Sequence, residues 1–539
     1  MILGVDFDNT IVSYDALFQR LARERGHIPA EVPANKNAVR DHLRRAGREA
    51  NWTSLQGEAY GARMAEAQPF PGVIAFLRCC RRAGVQVRII SHKTRFPIVG
   101  ARVDLHAAAF AWLDQHGFCA ADGVCLAPAD IHFEPTKAAK LARIATCGCD
   151  VFIDDLPEIL DDPAFPEKVE KILFDPAGAH PASPGLSLCS RWSELQESFV
   201  GRCVATRFSL PLSGEPVRLS GGANNRVQRL RQPDGQSLLL KEYFSHPEDP
   251  RNRFAAERAF YHYAREVAGV TCVPRPLGWD ADLRWGLFEF VEGRKITSGE
   301  IDAGTVAAAC DFVATLNSAR HRPGADSLPR AAESCFTTDE HLATVWHRLE
   351  RLARLTGDSK VDAAARDFVH TELLPAWHAV RAEAARPLSD GGAGSGHDAW
   401  SQRCLSPSDF GFHNALQRAD GSLVFFDFEY AGWDDPAKLV GDFFCQPALP
   451  VPAEFFDVVA ERVAMALDLG PADDFVARCH ALLPVYRLKW CGIMLNEFVA
   501  SQRARRSFAL GAAAAESRKL DQLHKARAAL ELLHLPLSR

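Results

Sequence analysis

The chain begins Met1-Ile-Leu-Gly-Val-Asp6-Phe-Asp8-Asn-Thr10, a short apolar run that ends in two carboxylates two residues apart. An apolar run of this kind, followed by polar residues and a helical pattern, is typical of a buried strand in a parallel sheet covered by helices. The same rhythm recurs at the apolar runs Val85 to Ile90 and Val151 to Ile153. The first part of the chain is therefore predicted to be a doubly wound α/β domain with a parallel sheet.

The length and the charge of the chain limit what the protein can do. Its 539 residues allow about three or four folding units, at about 150 residues per domain. The 47% hydrophobic and 24% charged residues are typical of a folded globular protein and disfavour a disordered or fibrous chain. With 62 basic and 68 acidic residues the net charge is -6, without the basic excess that nucleic-acid binding needs. We therefore expect an enzyme acting on small molecules, with no nucleic-acid partner.

The cysteines and the N-terminus indicate the compartment. The 15 cysteines are scattered along the chain and match neither a disulfide scaffold nor paired zinc-binding motifs, so reduced thiols are expected. Asp6 and Asp8 lie where a signal peptide would be apolar, and no window of about eighteen residues is uncharged and apolar. The sequence predicts a cytoplasmic protein without membrane insertion.

The pattern of predicted strands and helices changes near residue 202. Before it, a stretch rich in Pro and Gly precedes a predicted last helix at Trp192 to Phe199. Beyond it, Pro216 to Leu230 and Ser237 to Tyr243 flank an Asp-Gly turn and predict an antiparallel hairpin. Later residues show mainly helical patterns. We expect a first domain at 1–202 and a second at 203–539, the latter with a sheet-rich small lobe at about 204–295 and a helical large lobe at about 296–539.

Polar residues follow the predicted parallel strands, at the edge where such sheets bind ligands. The set comprises carboxylates, hydroxyls and a lysine at a helix start: Asp6, Asp8, Thr10, Ser91, Lys137, Asp154 and Asp155. These groups suit phosphoryl transfer through an aspartyl intermediate. Asp6 can attack phosphorus, and Asp8 can serve the leaving oxygen as general acid and the hydrolytic water as base.

The other groups of this set divide between a metal and the phosphate. Mg²⁺ prefers hard oxygen ligands, and these would come from Asp6, Asp154, Asp155 and the backbone carbonyl of Asp8. Hydrogen bonds and positive charge would hold the phosphate oxygens, from Thr10, Ser91 and Lys137.

This part of the chain resembles the haloacid dehalogenase-like (HAD) hydrolase superfamily over roughly its first 200 residues. The motif Asp-x-Asp-x-Thr is matched by residues 6–10, and the other three motifs have counterparts in Ser91, Lys137 and Asp154-Asp155. Lys140 is a second candidate for the lysine. The resemblance implies a Rossmann-like fold and a Mg²⁺-dependent phosphatase rather than a dehalogenase, because the second carboxylate is present. It also implies that the helical segment at about 13–68 is a cap that selects the substrate.

Glycines lie between two predicted strands of the second domain, in the segment Leu219-Ser-Gly-Gly-Ala-Asn-Asn225. Here Gly221, Gly222 and Asn224 would let backbone N–H groups approach a nucleotide phosphate. Lys241 ends the following predicted strand, and Glu257 lies on the helix predicted after it. A carboxylate in that place can hold a phosphate-binding lysine.

A loop further along has the residues of a second catalytic centre. It is the segment Leu405-Ser-Pro-Ser-Asp409-Phe-Gly-Phe-His-Asn414. Asp409 can orient or deprotonate an attacking hydroxyl. Asn414 and Asp427, which lies at the next strand end, can share Mg²⁺ ions that bridge nucleotide phosphates.

Several neighbouring groups are expected to have structural roles. We expect His413 to support the loop, Asp434 and Asp435 to cap the next helix, and Asp442 to brace the loop from within that helix. Glu429 lies two residues after Asp427, and whether it reaches the metal is left open.

The second set is similar to the aminoglycoside phosphotransferase and choline kinase-like family, over roughly residues 204–539. In that family the loop commonly has His-Gly before the Asp. Asp409 and Asn414 keep the family spacing, whereas Pro407 and Ser408 replace the His-Gly pair. The resemblance implies a bilobal protein kinase-like α+β fold, ATP as phosphoryl donor and Mg²⁺ as cofactor.

Together the two sets predict a bifunctional enzyme, a phosphatase joined to an ATP-dependent small-molecule kinase, with Mg²⁺ in both domains. Sugar or amino-sugar intermediates of glycoconjugate synthesis are the expected substrates, since the two activities could act on successive intermediates. Two alternatives stay open. One is an antibiotic- or choline-type kinase with a housekeeping phosphatase, which would need an acidic pocket in the large lobe. The other is a module that senses nucleotide or sugar phosphate without turnover.

Overall fold

The computed structural model describes residues 1–219, 225–245, 249, 251–357, 359–384, 403–499 and 515–533. The chain divides into two compact units, Met1–Pro216 with Leu230–Gly235, and Val217–Arg229 with Gln236–Arg539. Among the helices in the described stretches, none combines the length and the apolar character that crossing a bilayer requires.

A parallel sheet forms the centre of the first unit. The strands of this unit are β1 (Ile2–Val5), β2 (Val12–Ser13), β3 (Gln68–Pro69), β4 (Gln86–His92), β5 (Ile131–Glu134), β6 (Val151–Asp154), β7 (Glu170–Phe174) and β8 (Leu186–Cys189). Six of them form one sheet in the order β5-β4-β1-β6-β7-β8, and all neighbours in it are parallel. The predicted parallel sheet is therefore confirmed. Because β4 and β6 flank β1, the strand order reverses there, at the kind of point where such sheets bind ligands.

Helices surround this sheet, and three of them form an insertion between β2 and β3. They are α1 (Asp15–Glu24), α2 (Lys36–Arg45), α3 (Glu49–Tyr60), α4 (Val73–Arg82), α5 (Leu105–Gln115), α6 (Lys137–Thr146), α7 (Pro157–Leu160) and α8 (Trp192–Phe208). Helices α1 to α3 lie between β2 and β3, which pair antiparallel and join the insertion to the sheet. We call α1 to α3 the cap. Its aromatic side chains pack together, with the ring centres of Phe18 and Trp52 4.8 Å apart.

The boundary of the first unit lies later than the predicted residue 202. Helix α8 continues to Phe208, and the compact unit extends to Pro216. Cys203 and Val204 are buried, and the Sγ atom of Cys203 lies 4.0 Å from that of Cys80 on α4. The last turns of α8 therefore belong to the core of the first unit, which the change in sequence pattern did not reveal.

The second unit begins with an antiparallel sheet and continues mainly as helices. The strands that follow α8 along the chain are β9 (Ser213–Arg218), β10 (Arg226–Arg231), β11 (Ser237–Glu242), β12 (Pro276–Asp280), β13 (Trp285–Glu289), β14 (Cys404–Ser406), β15 (Ala415–Gln417), β16 (Leu423–Phe425) and β17 (Gly432–Asp434). The first five form one sheet in the order β12-β13-β11-β10-β9. Strands β14 and β17 pair with each other, as do β15 and β16.

Most helices of the second unit follow this sheet along the chain. They are α9 (Arg253–His262), α10 (Ala303–Ser318), α11 (Thr338–Leu352), α12 (Lys360–Phe368), α13 (Leu374–Ala384), α14 (Pro436–Cys445), α15 (Phe456–Leu467), α16 (Ala472–Met494) and α17 (Ala515–Glu531). The five-stranded sheet with one helix precedes a helical part that contains the strand pair β14–β17 and the short hairpin β15–β16, and this is the order of a kinase-like fold. The predicted bilobal α+β class of this unit is confirmed.

Candidate functional sites

A buried lysine joins two carboxylates at the carboxyl edge of the parallel sheet. Asp6 follows β1 and Asp154 ends β6. The Nζ atom of Lys140 on α6 lies 2.6 Å from Asp6 Oδ1 and 2.5 Å from Asp154 Oδ2. All three side chains are almost fully buried. Burial raises the pKa of Asp154, and the Lys140 ammonium opposes that rise. We call Asp6, Lys140 and Asp154 the buried triad.

Lys140, and not the predicted Lys137, is the lysine of the buried triad. Lys137 begins α6, and its exposed ammonium lies 2.6 Å from the carbonyl oxygen of Glu158 and 2.7 Å from Asp162. Lys140 lies one turn later, with its Nζ 5.6 Å from the ring centre of Phe152 on β6. Each lysine stands four residues before a buried apolar residue of α6, so the helical pattern alone does not distinguish them.

We expect Lys140→Met to destabilise the first unit by about 3–5 kcal/mol, because it leaves two buried carboxylates without their cation. Lys137→Met is the matched control, since its side chain is 40% exposed. We expect this control to change stability by less than about 0.5 kcal/mol. Urea denaturation followed by tryptophan fluorescence measures both variants. Equal shifts in the two unfolding curves would contradict the assignment of Lys140 to the buried triad.

Asp8 is held by two side chains that sequence reasoning did not single out. Lys93 follows β4, and its Nζ lies 3.0 and 2.9 Å from the two carboxylate oxygens of Asp8. The Tyr14 hydroxyl donates to Asp8 Oδ1 at 2.6 Å. Lys93 is buried, so the Asp8 carboxylate is held from the side of β4 by a cation with little access to solvent. The rule that identified Ser91, namely that functional groups follow strand ends, could also have identified Lys93.

Three further predicted residues lie at the same edge. Thr10 is buried, and its hydroxyl donates to Asp155 Oδ1 at 3.3 Å. Ser91 is buried near the end of β4. One carboxylate oxygen each of Asp6, Asp154 and Asp155 lies within 4.8 Å of the others, a grouping that could hold a cation. Burial and the charges of Asp154 and Asp6 raise the pKa of Asp155, and a divalent cation would offset that repulsion.

A second buried lysine joins two carboxylates in the second unit. The Nζ atom of Lys241 on β11 lies 2.6 Å from Glu257 Oε2 on α9 and 2.6 Å from Asp427 Oδ1. The other oxygen of Glu257 accepts a hydrogen bond from the backbone N–H of Phe428 at 2.9 Å. Burial lowers the pKa of Lys241. The negative charges of Asp427 and Glu257 raise this pKa by a larger amount, so it lies above its usual value. The structure thus brings these three predicted residues together.

The loop that contains Asp409 is anchored on both sides. Leu405 on β14 exchanges hydrogen bonds of 2.8 and 3.0 Å with the buried side chain of Asn317 on α10. The side-chain amide of Asn414 donates to the carbonyl oxygen of Asp409 at 3.0 Å. Because that bond uses the amide nitrogen, the side-chain oxygen of Asn414 can still act as a metal ligand. The backbone N–H of Phe426 donates to the carbonyl oxygen of Asn414, which links the loop to the segment with Asp427.

The predicted phosphate-binding residues Gly221, Gly222 and Asn224 lie outside the described residues. The next residue, Asn225, is buried, and its side-chain amide donates to Glu429. Its oxygen accepts a hydrogen bond from the backbone N–H of Phe244 at 3.1 Å. Burial raises the pKa of Glu429 to about 7, and Asp427 adds to the rise. Sequence reasoning missed this contact, because its two residues are 204 positions apart.

His413 lies beside the predicted catalytic carboxylate. Its Nε2 atom is 3.3 Å from Asp409 Oδ1. Its Nδ1 atom is buried and has no hydrogen-bond partner among the described residues. A Cβ atom added at Gly411 would lie 2.7 Å from that Nδ1. The imidazole therefore fills the space beside Gly411 and can orient Asp409.

We expect Gly411→Ala to slow phosphoryl transfer from ATP by about tenfold or more, because the methyl group displaces the imidazole and with it Asp409. Gly299→Ala is the control, since nothing lies within 4 Å of a Cβ atom added there. Steady-state kinetics of ADP release compares the two variants. If Gly411→Ala keeps the wild-type kcat, His413 does not position Asp409.

Asp435 caps helix α14, as expected. Its Oδ1 accepts a hydrogen bond from the backbone N–H of Ala437 at 2.7 Å. The same carboxylate pairs with Arg478 and lies 3.0 Å from Nε2 of His341. Asp434, which was also expected to cap this helix, instead pairs with Lys438.

Asp442 does not brace the loop as expected. Its carboxylate lies 2.7 and 2.8 Å from Nζ of Lys489, and it accepts a hydrogen bond from Nε1 of Trp490 at 2.8 Å. Both partners belong to α16, so Asp442 fixes α14 to α16. A sequence pattern cannot indicate this contact, because it depends on how two distant helices pack.

Comparisons with known proteins bear on the second unit. Residues 215–454 match the sequence model of the phosphotransferase enzyme family. No curated protein matches the chain. A choline kinase from Cryptosporidium parvum is a similar solved structure, 11% identical with a TM-score of 0.38, covering 60% of this chain and 92% of that one.

Two further solved structures are similar at the same level. A choline/ethanolamine kinase family protein from Mesorhizobium loti is 18% identical with a TM-score of 0.36, covering 63% of this chain and 98% of that one. A spectinomycin phosphotransferase, solved with ADP and spectinomycin, is 10% identical with a TM-score of 0.43. The match covers 62% of this chain and 97% of that one. With its family match and its lysine–carboxylate centre, the segment 215–454 is a kinase-like phosphotransferase domain.

Proposed function

We propose that the chain is a bifunctional phosphoryl-transfer enzyme, with a Mg²⁺-dependent phosphatase in the first unit and an ATP-dependent small-molecule kinase in the second. One observation supports both halves. Each unit buries a lysine between two carboxylates and has a further carboxylate that can act as acid or base. The groups are Asp6, Lys140 and Asp154 with Asp8, and Lys241, Glu257 and Asp427 with Asp409.

In the proposed phosphatase, Asp6 is the nucleophile and Asp8 is the acid–base group. An oxygen of Asp6 bonds to phosphorus as the bond to the leaving oxygen breaks, and Asp8 gives that oxygen a proton. Asp8 then takes a proton from water, whose oxygen bonds to phosphorus as the bond to Asp6 breaks, releasing inorganic phosphate. The contacts of Asp8 with Lys93 and Tyr14 hold its carboxylate in place for both proton transfers.

The metal and phosphate ligands of this unit fit the same reaction. Asp6, Asp154 and Asp155 would hold Mg²⁺, because their oxygens are close enough to share one ion. When bound, the ion supplies positive charge that offsets repulsion between Asp6 and a phosphate dianion. Thr10 and Ser91 offer hydroxyl groups to the phosphate oxygens at the same edge.

In the proposed kinase, Asp409 receives the proton of the acceptor hydroxyl. The oxygen of that hydroxyl bonds to the terminal phosphorus of ATP as ADP leaves. Lys241 would contact the nucleotide phosphates, and Glu257 holds it in place. Asn414 and Asp427 would hold Mg²⁺, which when bound neutralises charge on the phosphates.

The charges at α14 favour a neutral or anionic acceptor over a cationic one. A cationic acceptor such as choline is recognised by uncompensated carboxylates and aromatic faces. The buried carboxylates at α14 are compensated within the fold. Asp434 pairs with Lys438, Asp435 with Arg478, and Asp442 with Lys489. This supports a sugar or sugar phosphate as the acceptor.

The kinase half is tested by incubating the full chain with ATP, Mg²⁺ and a panel of acceptors. The panel comprises sugars, sugar phosphates, amino sugars, choline and aminoglycosides. We expect ADP release together with one added phosphoryl group on a sugar or sugar phosphate by mass spectrometry. Transfer to choline or an aminoglycoside alone would favour the antibiotic- or choline-type alternative. Tight ATP binding without transfer to any acceptor would favour the sensing alternative.

The phosphatase half is tested with p-nitrophenyl phosphate, without ATP. We expect release of p-nitrophenol in Mg²⁺, its loss in EDTA, and its return when Mg²⁺ is restored. Absence of release in Mg²⁺ from this substrate and from a panel of sugar phosphates would overturn the phosphatase assignment.

A further inference from the structure

One lysine of the cap lacks a carboxylate partner. Lys36 begins α2, and its Nζ lies 5.7 Å from the ring centre of Tyr60 and 6.0 Å from that of Phe18. Within the described part of the chain, no carboxylate oxygen lies within 4.0 Å of this ammonium, the limit for an ion pair. The cap therefore presents a partly buried ammonium that forms no direct ion pair with the described carboxylates.

The acidic groups that act on Lys36 belong to the proposed phosphatase site. Burial lowers the pKa of Lys36, yet Tyr60, Asp155 and Asp8 raise it more, so the net direction is upward. The amine is therefore protonated at neutral pH. Asp155 and Asp8 both lie at the edge where phosphorus would react, so carboxylates of that edge act on the charge of Lys36.

Tyr60 places Lys36 on the leaving-group side of the site. The Nζ atom of Lys93, which is bound to Asp8, lies 5.0 Å from the same Tyr60 ring centre. Tyr14, which also contacts Asp8, has its ring centre 4.9 Å from that of Tyr60. Asp8 is the group that gives its proton to the leaving oxygen in the proposed reaction. Lys36 thus stands with the residues that surround the leaving part of the substrate.

We propose that Lys36 binds a second anionic group on the leaving part of the substrate. The phosphatase would then act on phosphate monoesters that also have a carboxylate or a second phosphate. Since no carboxylate among the described residues pairs directly with this ammonium, an anionic group of the ligand can form the ion pair. Lys93 and Lys140 are already paired with Asp8 and with Asp6, so their charges are compensated. This inference rests on the proposed phosphatase function.

The test compares kcat/KM for two pairs of esters that differ by one anion, with the full chain in Mg²⁺. The pairs are 3-phosphoglycerate with glycerol 3-phosphate, and fructose 1,6-bisphosphate with fructose 6-phosphate. We expect the wild-type protein to favour the more anionic member of at least one pair by about tenfold or more. Which pair shows the preference distinguishes a carboxylate from a second phosphate. We expect Lys36→Gln to bring that ratio close to one and Lys36→Arg to retain it.

Lys168→Gln is the matched control, because Lys168 is an exposed lysine of the same unit and its loss should leave the ratio as in the wild type. A wild-type ratio near one for both pairs overturns the inference, as does a ratio that is the same in Lys36→Gln. Failure to hydrolyse any ester would count against the proposed function instead. Calorimetry then decides the inference, since tighter binding of 3-phosphoglycerate or fructose 1,6-bisphosphate than of its partner, lost in Lys36→Gln, supports it. Equal affinities within both pairs overturn it.

Discussion

Hydrolysis of p-nitrophenyl phosphate is expected to fall by on the order of 10⁴-fold in Asp6→Asn, because a carboxamide cannot replace the attacking carboxylate. The substitution keeps the shape of the side chain. It also leaves Asp154 paired with Lys140, so one of the two buried ion pairs survives. Release of p-nitrophenol in saturating Mg²⁺ measures the loss.

The matched control for this variant is Asp161→Asn, an exposed carboxylate just after α7, whose rate should stay within about twofold of the wild type. Asp8→Asn is a further test of Asp6 as the nucleophile, because the second step needs Asp8 as base. We expect acid-quenched Asp8→Asn to retain phosphate on Asp6, detectable by mass spectrometry of the peptide. Equal rates in wild type and Asp6→Asn would exclude Asp6 as the nucleophile.

ATP-dependent transfer is expected to fall by about 10³-fold in Asp409→Asn, since the loss of a positioned general base typically costs about 10²–10⁴-fold. The effect should lie in kcat, because Lys241, Glu257 and Asp427 are intact and would still bind the nucleotide. The backbone carbonyl of Asp409 still accepts its hydrogen bond from Asn414, so the loop keeps this contact. Coupled detection of ADP, with the acceptor that the panel identifies, measures kcat and KM separately.

Asp420→Asn is the matched control, because Asp420 is an exposed carboxylate in the turn between β15 and β16. Its side-chain oxygen accepts hydrogen bonds from Ser422, which an asparagine can also do. We expect its kcat to stay within about twofold of the wild type. An unchanged kcat in Asp409→Asn would assign the acceptor proton to another group, and His413 would be the first to examine.

The strand-end rule located much of the first site because parallel strands bring their carboxyl ends to one edge. Asp6, Asp154 and Asp155 come from segments about 150 residues apart in the chain, yet the strand order places β1 beside β6. The rule does not predict which residue of a helix contacts the site. Lys137 and Lys140 are both compatible with the pattern of α6, and only packing against the sheet buries one of them.

In the second unit, residues with a local signature were easier to predict than their partners. Lys241 and Asp427 each end an apolar run, and the structure joins them through one ammonium. The contact between Asn225 and Glu429 has no signature, because neither residue lies in a pattern that requires the other. The same holds for Asp442, whose partners on α16 were not predicted.

The sequence by itself determined the parallel sheet, the kinase-like second unit and most of the candidate chemical groups, because periodicity and short motifs are local properties. The tertiary structure decided which lysine meets Asp6, which side chains hold Asp8, how much of α8 belongs to the first unit, and how the charges at α14 are compensated. These features depend on contacts between residues far apart in the chain. Charged residues that are far apart in the sequence, such as Asp6 and Lys140, become an ion pair only when folding brings them together.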